Sequence, residues 1–159
     1  MHRKNNEITD RKIIEEILAD SEICRVAILD AEFPYIVPFN YGYQDNALYF
    51  HSATKGKKID LIRKNNKVCF EITYSSEIIK CETACDWSTK YRSVIGYGTI
   101  EIISDLQEMA KGLDIIMEHY GRIGNNTYKA KSIKNMFILK LTIESLTGKQ
   151  LGEWSETKV

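Results

Sequence analysis

The feature that most limits the fold is a series of six short runs of β-branched and aromatic residues that do not alternate regularly with helices. Most of these runs are separated only by short polar turns, which favours antiparallel hairpins. A doubly wound parallel sheet would need a helix between successive strands. The sequence therefore predicts a mainly β domain built as a closed or partly open antiparallel barrel. The predicted strands cover residues 24–29, 35–43, 47–51, 67–74, 92–103 and 136–143.

Three helices are predicted around these strands. Asp10 can cap the first, in which the apolar side chains of residues 13–18 share one face. The second begins at Lys57. The third extends from Leu106 to Tyr120 and stops near Gly121, because glycine is a common residue just past the end of a helix.

Two further stretches have a distinctive composition. The polar segment from Ser75 to Lys90 is predicted to be a long loop, and loops of this length often carry function. Gly96 and Gly98 interrupt the fifth predicted strand, which indicates a β-bulge or a close approach by backbone or ligand.

Length and charge exclude several classes of protein. The 159 residues are 43% hydrophobic, which predicts one domain over residues 1–159 with its core at about 10–148. The 22 lysines and arginines balance the 22 aspartates and glutamates, which argues against a nucleic-acid or membrane partner. No apolar run approaches the roughly 20 residues of a membrane span, and the first residues lack the apolar core of a signal peptide. We therefore expect a cytoplasmic protein.

The four cysteines are too few for a disulfide scaffold in a chain of this length. Cys24 and Cys69 stand inside apolar runs and are predicted to be core residues. Cys81 and Cys85 are four residues apart, but no second Cys/His pair stands near them to complete a zinc site. The sequence therefore predicts no metal site.

A candidate anion site stands where the third predicted strand ends and the second helix begins. Within the stretch Tyr49–Lys58 the residues change from apolar to small, hydroxylated and basic. The hydroxyls of Ser52 and Thr54 can donate hydrogen bonds to a phosphate. Lys57 and Lys58 add positive charge beside the unpaired N–H groups of a helix start. The spacing is not that of a P-loop, and a solvated lysine-rich turn is the alternative interpretation.

Three segments then stand in the order and strand context of a known family. They are VPFNYGY at 37–43, LYFHSA at 48–53 with GKK at 56–58, and ACDW at 84–87 leading into YRSVIGYG at 91–98. Over roughly residues 3–148 the chain resembles the pyridoxamine 5'-phosphate oxidase-like, FMN-binding split-barrel proteins, and most of all their nitroimidazole-resistance group. The resemblance implies a six-stranded split barrel with peripheral helices. It also implies a homodimer with two FMN sites at the subunit interface and the FMN phosphate at the predicted anion site.

The resemblance also implies which residues contact FMN, in three groups. One group holds the phosphate and ribityl end, one lines the isoalloxazine ring, and one reaches across from the other subunit. The groups are His51, Ser52, Ala53, Lys57 and Lys58; then Pro38, Phe39, Asn40 and Tyr41; then Trp87, Arg92 and Ser93. Lysines can neutralise a phosphate, strand backbone can meet the polar edge of the flavin, and aromatic rings can stack on it. The oxidases proper favour arginine in the phosphate loop, whereas the two lysines here bind as point charges.

Several of these residues have a structural alternative. Trp87 and Tyr91 can simply cover one end of the barrel, and Asn40 can satisfy a strand end. His51 can be an ordinary hydrogen-bonded residue instead of a ligand. His119, in the last turn of the third helix, is expected to be structural because a partly cationic ring suits the negative end of a helix.

The resemblance implies an FMN-dependent oxidoreductase that reduces nitroaromatic or other small electrophilic compounds. The flavin would perform the transfer, so no catalytic side chain is expected. One alternative is a non-catalytic module that binds flavin or haem, with His51 or His119 on the iron. Another is a pyridoxamine-phosphate oxidase, which is disfavoured because residues 147–159 lack the arginine and histidine expected for a second phosphate site. FMN is expected in preference to FAD or riboflavin, because no adenine site is evident.

Overall fold

The computed structural model describes residues 6–124 and 126–154. Residues 1–5, which the sequence analysis examined for a signal peptide, lie outside this range. The described residues form eight strands: β1 (Glu7–Ile8), β2 (Ile23–Ile28), β3 (Tyr35–Asn40), β4 (Gly42–Gln44), β5 (Ala47–Ala53), β6 (Lys67–Ile79), β7 (Ser88–Ile103) and β8 (Met136–Leu151). The helices are α1 (Arg11–Asp20), α2 (Lys57–Lys64), α3 (Leu106–His119) and α4 (Ala130–Ile133).

All paired strands are antiparallel and belong to one sheet. The order along the sheet is β3-β2-β6-β7-β8-β5-β4, and β1 pairs with β8 beside this path. The two end strands, β3 and β4, follow each other in the chain and are separated only by Tyr41. Because one residue joins the two edges, the sheet curls into a barrel whose edges lie side by side. The mainly β, antiparallel split-barrel class predicted from the sequence is confirmed.

The barrel interior is filled by the inward side chains of the strands. Along β2 the burial alternates, with Cys24, Val26 and Ile28 fully buried and Ile23 and Arg25 exposed. This period of two is expected when one face of a sheet is in the core and the other is in solvent. Cys24 is therefore a core residue, as predicted, and its burial raises the pKa of its thiol.

Cys69 differs from this prediction because it is only half-buried. It pairs with Ala27 of β2 and Tyr97 of β7, and its direct neighbours Val68 and Phe70 are the ones that enter the core. Cys69 thus lies on the outward face of the same strand. A continuous apolar run does not reveal which of its members face inward.

Helix α1 closes one end of the barrel. The carboxylate of Asp10 accepts a hydrogen bond from the backbone N–H of Lys12 at 2.9 Å, which is the predicted N-cap. Ile14, Ile17 and Leu18 are buried in the main core cluster.

Helix α3 covers the outside of β5 and β8. It begins after Asp105, whose carboxylate accepts hydrogen bonds from the backbone N–H groups of Gln107 and Glu108 at 3.0 Å each. Its buried side chains form a second, smaller core with strand β8 and helix α4, made of Met109, Leu113, Ile116, Ile133 and Ile138. The helix ends one residue before the predicted Tyr120, and Gly121 follows with a φ of 81°.

Two local signals in the sequence have their expected outcomes. Asp45 and Asn46 adopt left-handed φ values of 50° and 59° and form, between β4 and β5, one of the short polar turns expected between the predicted strands. The register of β7 against β8 shifts between Tyr97 and Gly98, which is the predicted bulge. A Cβ on Gly98 would clash with the carbonyl oxygen of Thr142, so the backbones also approach closely there.

The prediction of a long loop over residues 75–90 is wrong. β6 continues to Ile79 and β7 begins at Ser88, so only residues 80–87 connect them, with a 3₁₀ turn at Ala84–Asp86. β8 likewise extends past the predicted end at Ile143, because its last residues pair with the beginning of β7. Much of this ribbon is exposed on both faces, so it lacks the alternation of apolar residues from which a strand is recognised.

The number of strands also differs from the six predicted. Tyr41 divides the predicted strand 35–43 into β3 and β4, and the two-residue strand β1 had no signal in the sequence. Short α4 was not predicted either. None of the helices within residues 6–124 and 126–154 is long and apolar enough to cross a membrane.

Candidate functional site

The predicted anion site lies at the first turn of α2, which follows the end of β5. Gly56 precedes the helix with a φ of 122° and has no side chain to cap it. The N–H groups of Ile59 and Asp60 donate to the carbonyl oxygen of Gly56 at 2.9 and 3.2 Å. In the described part of the chain no group accepts from the backbone N–H of Lys57 or Lys58. The helix start therefore keeps donors and a positive dipole end for an anion.

Lys57 is held beside this helix start by the hairpin between β2 and β3. Its Nζ lies 2.8 Å from Oδ2 of Asp30 and 4.9 Å from the ring centroid of Tyr35. The hydrogen bond and charge of Asp30 raise the pKa of Lys57, and the hydrogen bond from Lys57 is the largest cause that lowers the pKa of Asp30. Both groups stay ionised at neutral pH.

Lys58 points to the other side and meets the segment predicted to line the flavin. Its Nζ lies 5.3 Å from the ring centroid of Phe39, and the ring of Phe39 packs on Phe50 with centroids 4.7 Å apart. The structure thus brings Lys58 to Phe39, whose side chain is buried, whereas the neighbouring Pro38 and Asn40 are exposed on the other face of β3. The prediction from sequence had joined these two segments only through the family resemblance.

The end of β3 is held by Tyr120, just after α3. Its hydroxyl accepts hydrogen bonds from Nδ2 of Asn40 at 3.2 Å and from the backbone N–H of Tyr41 at 3.3 Å. It also donates to the carbonyl oxygen of Glu22. One phenol thereby fixes the orientation of the Asn40 amide at the point where the two edges of the sheet meet.

Tyr41 itself faces the core. Its side chain is fully buried, its hydroxyl donates to the carbonyl oxygen of Leu18 at 2.7 Å, and its ring lies 4.5 Å from that of His119. Burial raises the pKa of the Tyr41 hydroxyl. Tyr41 can therefore meet a ligand only through its backbone.

The residues at the end of β5 alternate between solvent and core. His51 and Ala53 are exposed, whereas Ser52 is 3% exposed and donates its hydroxyl proton to the carbonyl oxygen of Ala53 at 3.1 Å. Because the hydroxyl proton of Ser52 is used in that bond, it is not directed to a phosphate as the sequence predicted. Thr54, the second predicted hydroxyl donor, is half-buried just after the strand.

The three residues expected to reach another subunit lie apart from this cluster. Trp87 is 50% exposed and its indole N–H donates to the carbonyl oxygen of Cys81 at 2.7 Å, which closes the 80–87 connection. Ser93 is half-buried on β7. No contact in the described ranges joins Trp87, Arg92 or Ser93 to Lys57 or Lys58 within one chain.

The side chain of Arg92 contacts residues of its own chain. It is 8% exposed, its Nε donates to Oε1 of Gln150 at 3.1 Å, and its guanidinium carbon lies 4.4 Å from the ring centroid of Trp154. Lys90 approaches the same ring at 4.7 Å. In the single chain the Arg92 guanidinium is thus covered by Trp154 and is not presented to a neighbouring molecule.

A groove opens on the other side of Lys57. We call it the hairpin groove; its volume is about 520 Å³, and it is lined by Asp30, Ala31, Glu32, Phe33, Pro34, Tyr35 and Lys57. Asp30, Phe33 and Tyr35 were not identified from the sequence. They are far from Lys57 in the chain, and only the pairing of β2 with β3 turns this loop towards α2. Tyr120 was missed because it follows α3 and lies about 80 positions in the chain from Asn40 and Tyr41, which it contacts.

The described residues give less support to a metal or haem site than to an anion site. They contain no cluster of three or more His, Cys, Asp or Glu side chains placed to hold a metal ion. Nε2 of His119 lies 2.7 Å from the carbonyl oxygen of Ser21, and its ring packs against Tyr41 and Tyr120. His119 is therefore held by contacts within the fold, as expected. Of the described histidines, exposed His51 is the one whose imidazole could bind a haem iron.

The fold is similar to that of several solved structures. A candidate 5-nitroimidazole antibiotic resistance protein from Bacteroides thetaiotaomicron has a TM-score of 0.80 and 34% identity, over 91% of this chain and 86% of that one. An FAD- and haem-binding protein from Mycobacterium smegmatis has a TM-score of 0.82 and 19% identity, over 96% and 77%. The flavocytochrome Anf3 from Azotobacter vinelandii has a TM-score of 0.79 and 17% identity, over 98% and 75%.

Two further matches concern the sequence. The uncharacterised protein RA0666 of Rhizobium meliloti (strain 1021) is 35% identical over 65 residues, which is 41% of this chain and only 42% of that protein. A family model for pyridoxamine 5'-phosphate oxidase matches residues 10–150. Because that model spans most of the chain, and the Bacteroides protein is 34% identical over 91% of it, the chain belongs to the pyridoxamine 5'-phosphate oxidase family.

Proposed function

We propose that this chain binds FMN by its phosphate and acts as an FMN-dependent oxidoreductase on small electrophilic compounds such as nitroaromatics. The observation that carries the proposal is the start of α2. Lys57 and Lys58 stand there beside unused backbone N–H groups, and Lys58 lies over the ring of Phe39 in β3. Asp30 already balances Lys57, but Lys58 has no ion-pair partner among the described residues. A cation at the positive end of a helix favours an anion there, so a phosphate is the natural occupant.

Each group of residues then has a role that its position supports. Lys57 and Lys58 neutralise the phosphate, and exposed His51 and Ala53 lie beside the ribityl chain. The exposed amide of Asn40, oriented by Tyr120, faces the polar edge of the flavin together with strand backbone. When bound, the flavin supplies the electron or hydride transfer, so the side chains only bind and orient.

We further propose that the active form is a homodimer with FMN at the interface. The stretch from Trp87 to Gly98 exposes large apolar side chains, with Trp87 at 50%, Ile95 at 46% and Tyr97 at 57%. A second copy would cover them, and it would supply Trp87 and Ser93 to the flavin of its partner. Arg92 joins this group only if Trp154 moves off its guanidinium.

The acceptor class rests on the Bacteroides relative, a candidate for resistance to 5-nitroimidazole antibiotics. A second candidate function, a non-catalytic module that holds flavin or haem, is favoured by the exposed imidazole of His51. Two of the similar structures are a flavin- and haem-binding protein and a flavocytochrome. A cytoplasmic location agrees with four cysteines that are all described and all unpaired.

The visible spectrum of the freshly purified protein separates these functions. The paired bands of a bound flavin support the first proposal, and a Soret band supports the second. The phosphate assignment is tested by titrating FMN against riboflavin, which lacks the phosphate. If riboflavin binds as tightly as FMN, the anion site at α2 is not the flavin phosphate site.

A further inference from the structure

Two of the four cysteines, Cys81 and Cys85, are exposed in the connection between β6 and β7, whereas Cys24 is buried and Cys69 is half-buried. We propose that Cys81 and Cys85 are a redox modification site, at which a peroxide forms a reversible disulfide that releases Trp87 and weakens flavin binding. The effect on flavin rests on the proposed function, in which Trp87 contacts the flavin of the second copy. The disulfide itself does not depend on it.

The backbone between the two cysteines is turned back on itself. The ends of the connection are held together by the pairing of Ile79 with Ser88. The chain bends at Glu82 and Thr83 and then forms the 3₁₀ turn at Ala84–Asp86. A disulfide needs a Cα separation of about 4.4–6.8 Å, which residues four apart on a turned chain can meet. On an extended strand the same residues would be about 13 Å apart.

The exposure of this turn favours a switch over a permanent bridge. All residues from 80 to 87 are exposed, so a peroxide has access to both thiols. A disulfide that closes so short a loop restrains the unfolded chain little, and exposed disulfides are the readily reduced ones. Two accessible thiols close together in the chain are also the usual arrangement of a redox-sensing cysteine and its resolving partner.

The reaction balances with hydrogen peroxide as the oxidant. One thiolate attacks the peroxide, so that an S–O bond forms, the O–O bond breaks, and a sulfenic acid and one water result. The second sulfur displaces the oxygen of the sulfenic acid, which forms the S–S bond and releases a second water. The two thiols together lose two electrons and two protons, and the peroxide gains them. A reduced flavin that meets dioxygen is a source of this oxidant.

Trp87 joins the cysteine pair to the proposed flavin contact. Its indole N–H donates to the carbonyl oxygen of Cys81 at 2.7 Å, and its backbone N–H donates to that of Ala84 at 3.3 Å. Both acceptors belong to the segment 81–85, which the disulfide would close into a ring. Closing this ring shifts the carbonyl groups, and the indole loses the hydrogen bond that orients it.

The test follows the indole of Trp87 in a Trp154→Phe background, where it is the only tryptophan. The protein is treated with hydrogen peroxide and then with dithiothreitol. Intact mass reports the disulfide, acrylamide quenching reports the accessibility of the indole, and flavin fluorescence reports FMN affinity. Cys85→Ser removes the disulfide, and Cys69→Ser is the matched control because it removes a thiol outside the turn.

We expect peroxide to remove two hydrogen atoms from the chain, to expose the indole to acrylamide and to weaken FMN about five-fold. Dithiothreitol should reverse all three changes. Cys69→Ser should retain these changes and Cys85→Ser should lose them.

The absence of an intramolecular disulfide, or a disulfide that leaves the accessibility of Trp87 or the affinity for FMN unchanged, would overturn the proposal. Failure of the reduced protein to bind FMN would instead remove the proposed function. The disulfide and its effect on the indole would still be measured in that case, so the two failures are distinguishable.

Discussion

The phenol oxygen of Tyr120 accepts a hydrogen bond from the side-chain amide of Asn40 at 3.2 Å, although the two residues are 80 positions apart in the chain. The same oxygen accepts from the backbone N–H of Tyr41, a group that has no strand partner because the chain passes there from one edge of the barrel to the other. Tyr120 thus supports both the closure of the barrel and the orientation of a proposed flavin contact.

Replacing Tyr120 by phenylalanine should reveal this double role. We expect Tyr120→Phe to lower the free energy of unfolding by about 1 kcal/mol, because the Asn40 and Tyr41 donors lose their acceptor. FMN affinity should fall roughly five-fold through misorientation of Asn40. Tyr74→Phe is the matched control, since Tyr74 is 39% exposed against 40% for Tyr120 and keeps its ring contact with Trp154. Equal FMN affinity in both variants would leave Tyr120 with a purely structural role.

The two lysines at the start of α2 allow a charge-specific prediction. Lys57→Ala combined with Lys58→Ala should weaken FMN roughly 30- to 1000-fold, because each charge-assisted contact is lost and the losses overlap. Riboflavin binding, which does not use a phosphate, should change little. Lys12→Ala combined with Lys134→Ala serves as the control for net charge, since it removes two exposed lysines outside the site. A double variant that binds FMN as wild type does would remove the phosphate assignment.

Asp30 competes with a phosphate for Lys57, because its carboxylate lies 2.8 Å from the ammonium group. Asp30→Asn should therefore tighten FMN binding by roughly two- to five-fold at low ionic strength, and added salt should erase the gain. Asp20→Asn, an exposed change on α1, should have no such effect. Weaker FMN binding in Asp30→Asn would mean that Asp30 positions Lys57 for the phosphate.

The pH range of this ion pair follows from the directions of the two pKa shifts. The folded pKa of Asp30 is lowered, so its contribution to stability is present above an unfolded pKa of about 3.9 and is lost as pH falls through the folded value. The folded pKa of Lys57 is raised, so its contribution is present below about 10.4 and is lost as pH rises through the folded value. Between these limits, stability measured by thermal unfolding should show no pH dependence from this pair.

The parts of the fold that the sequence predicted depend on local chemistry or on a buried face. Asp10 as a cap, the Asp45–Asn46 turn and the bulge at Gly98 are decided by neighbouring residues, and β2 by its inward side chains. The ribbon over residues 75–91 has no buried face for much of its length. Its strands are stabilised by backbone pairing, which leaves no pattern of apolar residues in the sequence.

The candidate site divides in the same way. Lys57 and Lys58 were recognisable because two cations at a helix start conflict with the helix dipole. Asp30, Phe33 and Tyr120 were not, since each reaches the site through strand pairing or helix packing between distant segments. The burial of Arg92 under Trp154 was equally hidden from sequence, because it depends on the extension of β8 beyond Ile143.

The proposed homodimer predicts that flavin retention depends on assembly. Ile95→Lys should place a charge in the interface, yield a monomer in sedimentation velocity and release FMN. Ile123→Lys, at a residue that is 86% exposed on the loop after α3, should remain dimeric and loaded. A wild-type monomer that keeps its flavin at nanomolar concentration would contradict a composite site.

His51 provides the sharpest test of how the chain takes part in the reaction. Its side chain is exposed near the end of β5, three residues before the loop that leads into α2, and it pairs in the sheet with Ile138 of β8. If His51 only contacts the phosphate and ribityl end, His51→Ala should lower FMN occupancy and leave the rate per bound flavin unchanged. That rate is measured with a nitroaromatic acceptor and chemically reduced protein, because the transferring atom belongs to the flavin.

The opposite result has an equally definite meaning. A His51→Ala variant with full FMN occupancy and normal flavin reduction, but with acceptor turnover reduced about 1000-fold, would make His51 a general acid or base, whose loss typically costs ~10²–10⁴ in rate. His51→Gln, which keeps a hydrogen-bonding group but cannot carry the proton, would then be equally slow. If His51→Gln instead restores occupancy and turnover together, the imidazole acts by hydrogen bonding alone, and the flavin performs the transfer without a side-chain acid or base.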